Sequence, residues 1–201
     1  MIIHGDALER LKLLPDNSVD SIVTDPPYGL SFMGKKWDYD VPSVELWKEC
    51  MRVLKHGGFL LSFAGTRTYH RMAVNIEDAG FEIRDMISWL YGSGFPKSLN
   101  IGKQIDKIEG NERNGFNKNN HPTVKPIKLM EYLIKLVSKE GATILDPFVG
   151  SGTTLLACQR LNRNGIGIER EEDYIKIAQA RLNKSQEQTK LNSHSTSEAK
   201  K

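Results

Sequence analysis

A chain of 201 residues, 39% hydrophobic and 26% charged, fits one soluble globular domain with a substantial core. No apolar run approaches bilayer length and no basic, signal-like N-terminal stretch is present, which argues against a membrane protein and makes the cytoplasm the expected location. The net charge of +3 is compatible with a nucleic-acid partner without indicating one.

Met1, Ile2, Ile3 and His4 read as a strand that Gly5-Asp6 ends. Leu8, Leu11 and Leu14 then share a helical face until Pro15, with Asp6 placed to cap it. The apolar run at 19–23 reads as a short buried strand, halted by Pro26 and Pro27. Asp25, two residues lacking N–H groups, and Tyr28 are thereby presented together at a strand's C-terminal edge, where open α/β sheets bind ligands. The competing reading of that tetrapeptide is a plain Pro-Pro turn with a capping Asp. Residues 29–42 show no period and interleave Phe32, Trp37 and Tyr39 with Lys35 and Lys36. That mixture suits a loop meeting DNA, lysines on phosphates and rings for stacking; the alternative is aromatics folded back on the core.

Val44, Trp47, Met51 and Leu54 predict a helix capped by Ser43 and ending near His56-Gly57. A buried strand over 58–63, a helix carrying Met72, Ile76 and Ala79, and a strand or hairpin over 81–90 follow. This alternation predicts a mostly parallel sheet covered on both faces. His4, His56 and His70 are scattered and form no ligand pattern. Cys50 and Cys158 sit in helical patterns with no metal-ligand spacing, which predicts buried, reduced thiols and no metal site. Residues 92–120 break the alternation with a glycine-rich turn, a short helical stretch and a polar Gly/Asn-rich run.

Residues 121–126 lead into a helix whose apolar face is Ile127, Met130, Ile134 and Val137. A strand at Ile144-Leu145 then runs through Asp146 into a glycine turn, Phe148-Val149-Gly150-Ser151-Gly152-Thr153, and a further helix. Glycines there let backbone approach a ligand closely. The spacing is neither the dinucleotide fingerprint, which needs a third glycine, nor a phosphate loop, which needs a following Lys. Gly165-Ile166-Gly167-Ile168 reads as a strand ending in Glu169, an acid placed where ribose hydroxyls are bound. Tyr174, Ile177, Ala178, Arg181 and Leu182 make a last amphipathic helix, and 184–201 reads as a disordered polar tail.

Taken together, Asp25-Pro26-Pro27-Tyr28 and the Phe148-x-Gly150-x-Gly152 turn resemble the amino-methyltransferases of DNA, in the beta order with the catalytic motif first. Gly5-Asp6, His121-Pro122-Thr123-Val124-Lys125-Pro126 and the segment ending in Glu169 match in the same order, so the resemblance spans residues 1–183. It implies a Rossmann-like α/β methyltransferase fold, a mostly parallel seven-stranded sheet with helices on both faces. The single domain would comprise a catalytic half (1–91), a short target-recognition or connector segment (92–120) and a cofactor half (121–183). The implied cofactor is S-adenosyl-L-methionine. Asp6 would meet its adenine, Glu169 its ribose, Thr123 and Lys125 the methionine end, and Asp146 the ammonium, with Phe148, Gly150, Gly152 and Thr153 shaping the turn around it.

The implied catalytic residues are Asp25, Pro26, Pro27 and Tyr28. Hydrogen bonds from a base's exocyclic amine to the Asp25 carboxylate and the Pro26 carbonyl would free the nitrogen lone pair and stabilise its developing charge. Tyr28 would stack the extruded base. Cytosine C5 chemistry needs a cysteine nucleophile, which the family that performs it carries in a Pro-Cys pair, and neither cysteine here follows a proline. Asp at position 25 favours adenine N6, with cytosine N4 as the alternative and a catalytically weak DNA-binding accessory protein as the reading from another class. The implied partner is double-stranded DNA in a restriction–modification setting. The short segment 92–120, with Lys97, Lys103, Lys107, Arg113 and Lys118 for phosphates, leaves room for a second copy or a specificity partner.

Overall fold

Alternation along the strands decides which face each residue covers. In β2 (Val19–Thr24), Ile22 enters one buried cluster and Val23 the other; in β4 (Thr143–Asp146), Ile144 and Leu145 divide the same way. The computed structural model describes residues 1–30, 40–90 and 124–198, with side chains through 187. Besides β2 and β4, the described strands are β1 (Ile2–His4), β3 (Leu54–Ser62) and β5 (Asn164–Glu169). All pair in parallel, in the order β1-β5-β4-β2-β3. A parallel sheet must be covered on both faces. One cover is α1 (Ala7–Leu11), α2 (Val44–Val53) and α3 (Tyr69–Asp78), packing Leu11, Trp47, Val53 and Met72 against Ile22 and Leu145. The other is α4 (Ile127–Val137) and α5 (Thr153–Arg160), packing Met130, Ile134, Ala157 and Cys158 against Val23 and Ile144.

Polar side chains staple the layers. Asp20 on β2 accepts from the Thr143 backbone N–H at 2.7 Å and from Lys55 Nζ at 2.7 Å, tying β2 to both its neighbours. Arg52 on α2 donates to the Leu11 and Leu14 carbonyls at 2.8 and 2.9 Å, holding the end of α1. Ser43 caps α2 as expected, at 3.4 Å from the Leu46 N–H. Both cysteines are free and buried, and burial pushes the Cys158 thiol up to about 12 and Cys50 higher still.

The chain divides into two compact units, Met1–Ile83 with Thr123–Lys201, and Arg84–Pro122. Among the described residues the sheet has five strands, where the resemblance implied seven for the whole chain. Three expectations need correction. α2 stops at Val53, and β3 starts at Leu54, four residues before the expected strand, absorbing His56-Gly57 in a register shift against β2. Residues 81–90 form no strand: Phe81 packs on the first cluster, but Met86, Ile87 and Leu90 are exposed, and a strand without a buried face is not held. Finally, α6 (Glu172–Glu198) continues through the expected tail, because no Gly or Pro interrupts it and Gln, Glu, Lys and Leu favour helix. Residues 31–39 of the aromatic–lysine loop and the whole of 92–120 lie outside the described residues.

Candidate active site

β2 and β4 are neighbours, yet the chain leaves β2 for β3 on one side and β4 for β5 on the other. Such a reversal opens a crevice beyond the strands' C-terminal ends. Two of the predicted stretches meet there: Asp25-Pro26-Pro27-Tyr28 after β2, and the glycine turn after β4.

Asp25 accepts from the Tyr28 hydroxyl on Oδ1 at 2.5 Å and from Lys125 Nζ on Oδ2 at 2.5 Å. The same ammonium lies 3.1 Å from Tyr28 Oη, 4.9 Å from the Phe63 ring centre and 5.4 Å from that of Tyr28. Backbone contacts fix the turn. The Phe63 N–H donates to the Thr24 carbonyl at 3.0 Å, and Thr68 Oγ1 donates to the Tyr28 carbonyl at 2.6 Å. A Cβ on Gly65 would stand 3.2 Å from the Tyr28 ring, so a glycine lets that ring lie close to the backbone. Lys125, implied at the methionine end of the cofactor, directs its charge here to the Asp25–Tyr28 group.

Asp146, implied to meet the cofactor's ammonium, is engaged by the protein itself. It is 2% exposed, with Oδ1 accepting from Thr24 Oγ1 at 2.7 Å and the Phe148 N–H at 3.0 Å, and Oδ2 from Thr154 Oγ1 at 2.5 Å. The carboxylate therefore locks the ends of β2 and β4 to the start of α5. Burial raises its pKa to about 6, against the pull of those hydrogen bonds, and the nearby Asp25 charge adds to the rise.

The glycine turn is held from three sides. Gly150 and Gly152 take φ of +51° and +83°, and a Cβ on Gly152 would come within 2.8 Å of Ala178 Cβ on α6. Glu169, closing β5, accepts from the Gly150 N–H at 2.9 Å and from the Glu171 N–H at 2.8 Å, its pKa raised by burial. Arg181 from α6 donates to the Ser151 carbonyl at 2.5 Å and to Thr153 Oγ1 at 3.2 Å. Asp6 follows β1 and caps α1 through Oδ1, at 3.0 Å from the Leu8 N–H. Phe148 is partly buried against the first cluster. Thr123 lies outside the described residues. Sequence reading missed Thr24, Phe63, Thr154 and Arg181 as parts of the site; only the adjacency of Thr24 and Thr154 to the two motifs offered a signal.

A family model for N6/N4 enzymes, described as DNA methylase, matches residues 19–108 and 100–180. Type II methyltransferase M.HpaI of Haemophilus parainfluenzae is 33% identical, over 90% of this chain and 73% of its own length. Type II methyltransferase M2.DpnII of Streptococcus pneumoniae is 31% identical, over 90% and 89%. Among solved structures, the M1.HpyAVI–SAM complex superposes with a TM-score of 0.68 at 28% identity, covering 90% of this chain and 99% of that one. The cytosine-N4-specific PvuII DNA methyltransferase shares the fold alone, with a TM-score of 0.69 at 20% identity over 90% of this chain and 85% of that one. With the family match spanning most of the chain and its two diagnostic turns meeting in one crevice, this protein belongs to the DNA methylase family of amino-methyltransferases.

Proposed function

We propose that this protein transfers a methyl group from S-adenosylmethionine to the exocyclic N6 amine of an adenine drawn out of double-stranded DNA. The observation that carries the proposal is the meeting of the Asp25–Tyr28 turn and the glycine turn at the sheet's switch point. One turn offers hydrogen-bond acceptors to an amine, and the other has a backbone open to close approach.

The residues fit that cofactor. Beyond the glycine turn, Glu169 and Asp6 stand at the ends of the paired strands β5 and β1. Each Glu169 oxygen accepts one backbone N–H, and a carboxylate oxygen has two lone pairs, so ribose hydroxyls can still be bound. The Asp6 cap uses Oδ1, leaving Oδ2 for the adenine edge. Phe148, Gly150, Gly152 and Thr153 would shape the wall, with Thr123 at the methionine end. The bound cofactor supplies an electrophilic methyl group on a sulfonium.

The protein's own residues do the rest. An aromatic amine is a weak nucleophile because its lone pair is shared with the ring. Donation of its two hydrogens to Asp25 and to the Pro26 carbonyl favours a pyramidal nitrogen and stabilises the positive charge growing on it. Pro26 and Pro27 present carbonyls with no N–H to compete, and Tyr28, anchored through its hydroxyl, offers a ring face to the extruded base. Extrusion is required, since a paired amine cannot reach the crevice. Residues 92–120 would choose the site, aided by a second copy or a specificity subunit.

Incubating the purified protein with unmethylated DNA and S-adenosylmethionine, then identifying nucleosides by mass spectrometry, tests this. N6-methyladenine is the expected product. N4-methylcytosine would keep the mechanism and overturn the base; no methylated base, with the cofactor demonstrably bound, would overturn the substrate.

A further inference from the structure

The ammonium of Lys125 sits in a site that suits the transition state. Its neighbours are the Asp25 carboxylate at 2.5 Å, the Tyr28 hydroxyl at 3.1 Å and the faces of Phe63 and Tyr28 at 4.9 and 5.4 Å. A carboxylate flanked by two rings selects a cationic nitrogen. During methyl transfer the target amine becomes such a nitrogen. Each Asp25 oxygen accepts one donor, Oδ1 from Tyr28 and Oδ2 from Lys125, and the place on Oδ2 beside the Tyr28 and Phe63 rings is the one that Lys125 fills.

We propose that Lys125 is a placeholder for the target nitrogen, occupying its position on Asp25 Oδ2 until an extruded base displaces it. The proposal rests on the amino-methyltransferase reading and adds the competitor that the base must remove. Lys125 is suited to leave. It sits in the short segment before α4, joined to its charge by a flexible four-carbon stem, and its side chain is only 13% exposed while paired. While it is there, it keeps water and stray amines from the carboxylate. Once displaced, it gives Asp25 to the amine. Lys125 is on this account a positioning residue, and its main effect falls on DNA engagement.

The test compares wild type, Lys125→Met and Lys125→Arg with unmethylated plasmid DNA, alongside calorimetry of S-adenosylmethionine binding. Removing the competing ion pair predicts that Lys125→Met lowers KM for DNA roughly fivefold, equivalent to about 1 kcal/mol. kcat changes by less than KM, and the cofactor Kd does not move. Lys125→Arg, which still pairs with Asp25, returns KM to the wild-type value or above. A weaker cofactor Kd in Lys125→Met would overturn the proposal in favour of a cofactor contact. A collapse of kcat at unchanged KM would overturn it in favour of a role in the chemistry, and unchanged kinetics would remove any role. A wild-type protein that methylates no DNA base would sink the parent reading itself, a result distinct from all of these.

Discussion

Asp146 carries a carboxylate whose burial and hydrogen bonding pull in opposite directions, and burial wins, placing its pKa at about 6 against 3.8 unperturbed. Between those values the folded protein binds a proton that the unfolded chain has released. The contribution of this residue is therefore full below about pH 4 and is lost as pH rises through about 6. Asp146→Asn keeps the shape and removes the charge, so the stability of wild type relative to the variant should fall by roughly 2–4 kcal/mol from pH 4 to 7 and then level off, at about 1.4 kcal/mol per pKa unit. Urea unfolding of both proteins across that range reads the difference; a flat difference would show that burial does not raise this pKa. The residue also marks what a sequence withholds. Asp25 was legible because two prolines end an apolar run beside it. The partners of Asp146 were not, since one of them, Thr24, stands 122 positions away and only the sheet order brings the two together. The pairing of Lys125 with Asp25 was hidden for the same reason, the two standing 100 positions apart.

Among the elements, the glycine turn makes the sharpest demand on backbone. Gly152 combines a left-handed φ of +83° with a Cβ position only 2.8 Å from Ala178, so α6 packs where a side chain would begin. Gly152→Ala should destabilise the fold by about 2–4 kcal/mol, from left-handed strain and overpacking together, visible as a lower urea midpoint. A midpoint at the wild-type value would mean that the turn or α6 moves freely. The helices and central strands were readable because their apolar spacing is local: Ser43 caps α2, and Met130 and Ile134 lie on the face of α4 that enters the core. Where the reading failed, local pattern was overruled. β3 begins early because pairing with β2 recruits Leu54 across a register shift. The run over 81–90 has strand-like composition, but no buried face is there to hold it.

Across the whole molecule, parallel pairing aligns the strand ends so that carboxylates follow one another along a single edge of the sheet: Asp6 after β1, Glu169 closing β5, Asp146 closing β4 and Asp25 after β2. The chain order hides this row, because β1 lies beside β5, its partner from the far end of the sequence. In the proposed function the four acids divide the labour: Asp6 and Glu169 would meet the cofactor and Asp25 the amine, while Asp146 braces the two turns. Asp25→Ala, measured by calorimetry for S-adenosylmethionine and by transfer of labelled methyl to DNA, probes this division. The expected result is an unchanged cofactor Kd with transfer reduced by at least about 10²–10³-fold; a variant that transfers at the wild-type rate, or that loses the cofactor, would show that the acids do not divide in this way.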